Sequence, residues 1–172
     1  LTNPVVQGYN LALDREPTAT EVWESIDDVK KYDEVVFCGF GEPTLRLDVI
    51  KEVAKKVKDN GGRVRLNTNG HGNVINKRNI LPELSGLIDE VSVSLNADSS
   101  EGYDQICQPL PKFRNGIYEK IKEFIEEAKK YIPDVQASIV THQKGVDESN
   151  CEEIVNKEFG VKYRARRYNI VG

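Results

Sequence analysis

The sequence predicts an α/β protein built on a parallel sheet, and three observations carry this. Val35–Cys38, Arg63–Asn67, Val91–Leu95, Val135–Val140 and Val161–Arg166 read as strands. Stretches between them place apolar residues at helical spacing, such as Leu47, Ile50, Val53, Ala54 and Val57. Strand and helix alternate about every 25 to 45 residues, the mark of repeated βα units with right-handed crossovers. The sheet is then either open and doubly wound or part of a (β/α) barrel. In both, ligands sit at the C-terminal ends of the strands.

Taken in order, Leu1 to Glu16 is weakly patterned and reads as loop. Thr18 caps a helix, with Glu21 in the capping-box position, and Val22, Ile26 and Val29 carry it to about Tyr32. The apolar run Val35–Cys38 suits a strand buried on both faces. A turn from Gly39 to Thr44 leads into a helix starting near Leu45, which Asn60-Gly61-Gly62 ends. A glycine-rich loop, Thr68 to Asn73, follows the second strand, and Ile80 to Ile88 reads as helix with Pro82 in its first turn. Asn96 to Ser99 is a loop after the third strand, and Ser100 to Ile106 a short helix. Ile117 to Ile132 is a longer helix stopped by Pro133, and Glu148 to Phe159 is a helix closed by Gly160.

Composition narrows the class. With 172 residues, 38% hydrophobic and 30% charged, the chain can bury a sizeable core and is expected to form one domain spanning residues 1–172. A net charge of -4 gives no general signature for nucleic acid or an anionic membrane. No apolar run approaches the ~18 residues of a spanning helix. Cys38, Cys107 and Cys151 lack C-x-x-C spacing, so they read as reduced, partly buried thiols of a cytoplasmic protein. The chain starts at Leu1 and contains no Met, which suggests that part of a parent chain is absent.

Small polar residues follow each strand. They are Gly39, Gly41 and Glu42; Asn67, Thr68, Asn69 and Gly70; Ser94, Asn96 and Asp98; Thr141 and His142; and Arg166, Arg167, Tyr168 and Asn169. Any one group is ordinary turn chemistry; five at one rim suggest a binding site. Gly39-x-Gly41 lacks the third glycine of a dinucleotide fingerprint, and the Gly-Lys-Ser/Thr of a P-loop is missing too. Glu42 opposes a phosphate by charge repulsion. Its carboxylate, with turn carbonyls, suits the three hydrogens of an ammonium group instead.

Gly39-Phe40-Gly41-Glu42-Pro43-Thr44 after an apolar strand resembles the Gly-Gly-Glu-Pro motif of the radical S-adenosylmethionine (SAM) enzymes. Leu66-Asn67-Thr68-Asn69-Gly70 and Ser92-Val93-Ser94-Leu95-Asn96-Ala97 resemble that family's next strand ends. With the terminal Tyr168-Asn169-Ile170-Val171-Gly172, the set is similar to the TatD-associated subgroup, over nearly the whole chain from Gly8.

The resemblance implies a partial parallel (β/α) barrel and a cofactor, S-adenosylmethionine. Gly39, Phe40, Gly41 and Glu42 would hold its methionyl amine, and Asn67, Thr68 and Asn69 would reach its carboxylate or sulfonium. Ser94 and Asn96 would meet the ribose, and Tyr168 and Asn169, with Ile139 and Val140, would flank adenine. It implies a 4Fe-4S cluster, a 5′-deoxyadenosyl radical acting on an unknown substrate, a reductant protein, and an association with TatD-type nucleases. The family's C-x-x-x-C-x-x-C is absent, and Leu1-Thr2-Asn3 resembles what precedes it, so the first strand and cluster loop are expected to be missing.

Two rival readings stand beside this one: a cluster-less SAM- or nucleoside-binding module, and an ordinary barrel enzyme with Glu42 as general base. Arg166 and Arg167 are candidates for an anionic substrate or the cofactor carboxylate, against a solvated strand end. His71 and His142 have no partners at metal-ligand spacing and read as exposed loop residues. Cys38 reads as a half-buried structural strand residue rather than a radical quencher.

Overall fold

Right-handed crossovers leave a parallel sheet two choices: strand order that reverses, with helices on both faces, or order that runs one way, with helices on one face. The computed structural model, which describes residues 5–6, 8–39, 41–114, 116–141 and 146–167, takes the second course. Its elements are β1 (Val5–Val6), β2 (Tyr9–Asn10), α1 (Ala19–Glu24), β3 (Val35–Phe37), α2 (Leu47–Asp59), β4 (Val64–Thr68), α3 (Gly72–Asn76), α4 (Leu81–Leu84), β5 (Glu90–Ser94), α5 (Ser100–Cys107), α6 (Ile117–Ala128), β6 (Asp134–Thr141), α7 (Glu148–Glu153) and β7 (Lys162–Arg167). The five strands β3-β4-β5-β6-β7 lie in sequence order and every neighbouring pair is parallel. This is an arc of a (β/α) barrel, and it settles the choice against a doubly wound sheet.

Register determines what each face carries, because side chains alternate along a strand. Leu66, Val91 and Val135 make one row, and Thr68, Val93, Ala137 and Tyr163 another. These point to the helices: a Cβ on Gly70 would lie 3.0 Å from Ile121 of α6 and 3.1 Å from Val93. Val53, Ala54 and Val57 of α2 and Ile121, Phe124 and Ile125 of α6 are fully buried in the same layer. The opposite face is polar. Asn67, Ser92, Gln136 and Lys162 form one row, and Ser94, Ser138 and Arg164 the next. At its N-terminal end Arg63 donates to Glu90 at 3.2 Å and to Asp134 at 2.9 Å, while Lys162 reaches Asp134 at 3.0 Å. Arg65 pairs with Glu34 at 2.7 Å.

Several expectations are corrected. The opening stretch, read as loop, contains the antiparallel hairpin β1–β2; two-residue strands are too short to show alternation. The first helix stops at Glu24 instead of about Tyr32. There Asp28 accepts from the Lys30 N–H at 2.9 Å and starts a separate 3₁₀ turn, Val29–Lys31. The helix after Thr44 begins at Leu47, preceded by a 3₁₀ turn over Pro43–Arg46. β3 is an edge strand whose residues are only half-buried, not a strand buried on both faces. Cys38 lies beyond its end and is exposed, while Cys107 is half-buried and Cys151 buried. The glycine-rich loop contains α3, and the helix expected over Ile80–Ile88 is only α4, since Gly86 takes a φ of 75°. The helix from Ile117 ends at Ala128 rather than Ile132. No helix among the described residues is long and apolar enough to cross a membrane.

Candidate functional site

The C-terminal end of β3 leads into a tight turn. Gly39 and Gly41 form an isolated antiparallel bridge, and Gly41 has a φ of 138°, a conformation that excludes other residues without strain. Glu42 then caps the following 3₁₀ turn, accepting from the Thr44 N–H at 3.0 Å. The same Oε1 accepts the Thr44 hydroxyl at 2.6 Å and the Thr68 hydroxyl at 2.8 Å, and Oε2 accepts the Asn69 N–H at 2.8 Å. One carboxylate thus fastens the first strand's turn to the end of the second.

The surroundings lock this clamp. Thr44 is fully buried, and its carbonyl accepts from Asn76 of α3 at 3.0 Å. A Cβ on Gly72 would lie 2.7 Å from Ile80 and 3.3 Å from Thr44, so only glycine lets α3 pack so close. Thr68 Oγ1 accepts the Gly70 N–H at 3.0 Å, and Asn69 Oδ1 accepts the His71 N–H at 2.9 Å. His71, expected to be exposed, is only 7% exposed, with Nε2 3.0 Å from the Tyr103 hydroxyl and the Phe113 ring beside it. Burial pulls the imidazole below its ordinary value of 6.5, opposed by the nearby Glu42 charge. Burial also raises the Tyr103 phenol and the Cys107 thiol, so both stay protonated at neutral pH.

Around this clamp the predicted residues divide. Asn67 and Asn96 each bury a side-chain Oδ1 that no group in the structure satisfies. Asn96 takes a left-handed φ of 60° and donates to Cys107 Sγ at 3.7 Å, which fixes its amide nitrogen and leaves the oxygen unpaired. The Ser94 hydroxyl lies 3.5 Å from a donating Arg166 guanidinium nitrogen. Asp98 instead accepts from Asn150 at 3.0 Å, a bond that ties its loop to α7. Phe40, His142, Tyr168 and Asn169 lie outside the described residues.

The expectation of Glu42 as an open acceptor for an ammonium group is corrected: four donors already occupy it, and spare capacity remains on Oε2 alone. That engagement makes Glu42 a brace between the two strand ends. Thr44, His71, Tyr103 and Asn76 were missed as partners of the site. The Glu-Pro-Thr spacing, which suits a side-chain cap, signalled only the first. Among the described residues no group of three or more His, Cys, Asp or Glu side chains could hold a metal ion.

Comparison with known proteins adds a second line. The family model of the radical SAM superfamily matches residues 8–157. The dual-specificity RNA methyltransferase RlmN of Buchnera aphidicola is 27% identical over 144 residues, covering 77% of this chain and 37% of that protein. A protein named as a glycyl-radical enzyme activating enzyme, from Methanocaldococcus jannaschii, is 30% identical over 145 residues, covering 81% of this chain and 55% of its own. The chain therefore spans between about a third and just over half of these relatives' lengths. A citrate lyase crystal structure from Burkholderia xenovorans shares 14% identity at a TM-score of 0.47, covering 78% of this chain and 45% of its own.

Two outcomes follow for this cluster. Glu42→Ala should lower stability by about 2 kcal/mol, because it strips partners from the buried Thr44 and Thr68 hydroxyls; urea denaturation reads this. His71 has its folded value below its unfolded one, so unfolded chains bind the extra proton. Its contribution is complete above the ordinary 6.5 and is lost as pH falls below it. Denaturation midpoints from about pH 7.5 to about 5.5 should fall, and His71→Gln should flatten that fall.

Proposed function

This chain belongs to the radical SAM superfamily, and we propose that it is the S-adenosylmethionine-holding arc of such an enzyme's barrel. The observation that carries the proposal is the pair of orphaned amide oxygens, Asn67 Oδ1 and Asn96 Oδ1, at adjacent strand ends. Buried polar atoms without partners are costly and rare, and they cluster where a ligand completes them. S-adenosylmethionine offers an amine and ribose hydroxyls as donors, so its chemistry fits.

When bound, this cofactor would supply a sulfonium whose carbon–sulfur bond is open to one-electron reductive cleavage. The chain's own residues position it. Gly39, Phe40 and Gly41 would hold the methionyl amine, with Glu42 Oε2 as the carboxylate contact. Asn67 and Asn69 would line the methionine end of the cofactor, with Asn67 Oδ1 open to an amine hydrogen, while Thr68, its hydroxyl engaged by Glu42 and the Gly70 N–H on the helix side of the sheet, would hold that rim in place. Ser94 and Asn96 would take the ribose hydroxyls, and Tyr168 and Asn169 would flank adenine.

A 4Fe-4S cluster does not fit residues 1–172. Its three thiolates cannot come from an exposed Cys38, a half-buried Cys107 and a buried Cys151 on separate elements. The reading therefore requires cluster ligands from outside these 172 residues. Substrate, reductant protein, cytoplasmic location and the TatD-type nuclease association are part of the same proposal. It rests on resemblance for these.

Calorimetric titration with S-adenosylmethionine tests the proposal. Asn67→Ala and Asn96→Gly should each weaken binding by about tenfold, the worth of one lost charge-neutral contact plus its geometry. Thermal stability should stay level or rise, since each change removes an unsatisfied buried amide. Unchanged affinity in both variants would sink the assignment.

A further inference from the structure

The last strand, β7, carries charge that nothing in the fold uses. Its sequence is Lys162-Tyr163-Arg164-Ala165-Arg166-Arg167, and all but Tyr163 are exposed. Lys162 is neutralised by Asp134. Arg164 and Arg166 have no acidic partner among the described residues, whereas Arg63, Arg65 and Lys58 at the N-terminal ends of the strands are all ion-paired.

Register aims these two arginines. Arg164 pairs with Ser138, which pairs with Ser94, and Arg166 pairs with Val140 one row closer to the strand ends. Both therefore stand on the polar concave face, about 6.6 Å apart along the strand. The 3.5 Å approach of Arg166 to the Ser94 hydroxyl confirms the direction. Partial burial and the Arg164 charge both depress the Arg166 guanidinium, while Cys38 opposes them. Cys38 follows β3, at the other edge of the sheet.

We infer that Arg164 and Arg166 form a phosphate-binding subsite for the substrate, at the opposite side of the concave face from the Glu42 turn. Two guanidinium groups carry a charge of +2, and one carboxylate would satisfy only one of them bidentately. A phosphomonoester carries about −1.5 to −2 at neutral pH and three acceptor oxygens, so it matches both. The Ser94 hydroxyl, in the same row as Arg164 and within 3.5 Å of Arg166, adds a neutral partner. Glu42 repels a phosphate at the other side of the face, which leaves the amine end of the cofactor there and the anion here. The inference rests on the cofactor reading only in naming the ligand a substrate.

Calorimetry on the full chain with inorganic phosphate, uridine 5′-monophosphate, a 5′-hydroxyl oligouridylate and S-adenosylhomocysteine tests it. Phosphate and the monophosphate should bind, and R164Q/R166Q should weaken both by at least roughly tenfold. R164K/R166K should recover part of the loss, and circular dichroism should show both variants folded. S-adenosylhomocysteine affinity should be the same in all three proteins. Phosphate affinity unchanged in R164Q/R166Q would overturn the subsite. So would a parallel loss of S-adenosylhomocysteine binding, which would give the arginines to the cofactor, or binding of the oligouridylate alone, which would give them to a polymer backbone. Loss of phosphate binding in a chain that never binds S-adenosylhomocysteine would sustain the subsite and count against the cofactor reading only.

Discussion

Four hydrogen bonds converge on the Glu42 carboxylate, and they come from two different βα units. Without them the turn after β3 and the end of β4 would be separate loops. With them, Gly39, Gly41, Asn67 and Asn69 are held as one rigid surface. The buried Thr44, the close packing of Gly72 and the His71–Tyr103 pair all serve to keep that carboxylate's donors in place. A charge that sequence alone suggests for a ligand is thus mostly spent on architecture. What it leaves for a ligand is the shape and the unfilled acceptors around it.

Those acceptors sit on a sheet whose two faces have been given different work. Strand order without reversal puts every described crossover on one side, so the apolar side chains there meet helices. The other face needs no helix and can carry Asn, Ser, Gln and Arg in register across the strands. Ion pairs close its N-terminal end, through Arg63, Glu90, Asp134 and Lys162. Among the described residues the C-terminal end of the sheet keeps the unpartnered Asn67, Asn96 and Thr141 side-chain oxygens and two arginines, Arg164 and Arg166, with no acidic partner. Structure is concentrated at one end of the arc, and capacity to bind at the other.

Much of this was legible in the sequence. Apolar runs located all five parallel strands within a residue or two, and polar residues after them located the rim. What stayed hidden depends on contacts between distant residues. Glu42 looks like a free carboxylate because Thr68 and Asn69 are 26 and 27 residues away. His71 looks exposed because its cover, Tyr103, is 32 residues away. The half-burial of β3 reflects its place at the sheet edge, which an apolar run does not encode. The sequence offered Arg166 and Arg167 together as anion candidates, but register puts Arg167 on the other face and Arg164 beside Arg166 on the concave one.

The central claim is that the C-terminal rim of this arc receives S-adenosylmethionine. Backbone amide spectra of the ¹⁵N-labelled chain, recorded during titration with S-adenosylmethionine, measure it residue by residue. The account predicts saturable shifts concentrated at Gly39, Gly41, Asn67, Asn69 and Asn96, with the N-terminal ends around Arg63, Glu90 and Asp134 unmoved. No saturable shifts, or shifts confined to the N-terminal ends, would contradict it.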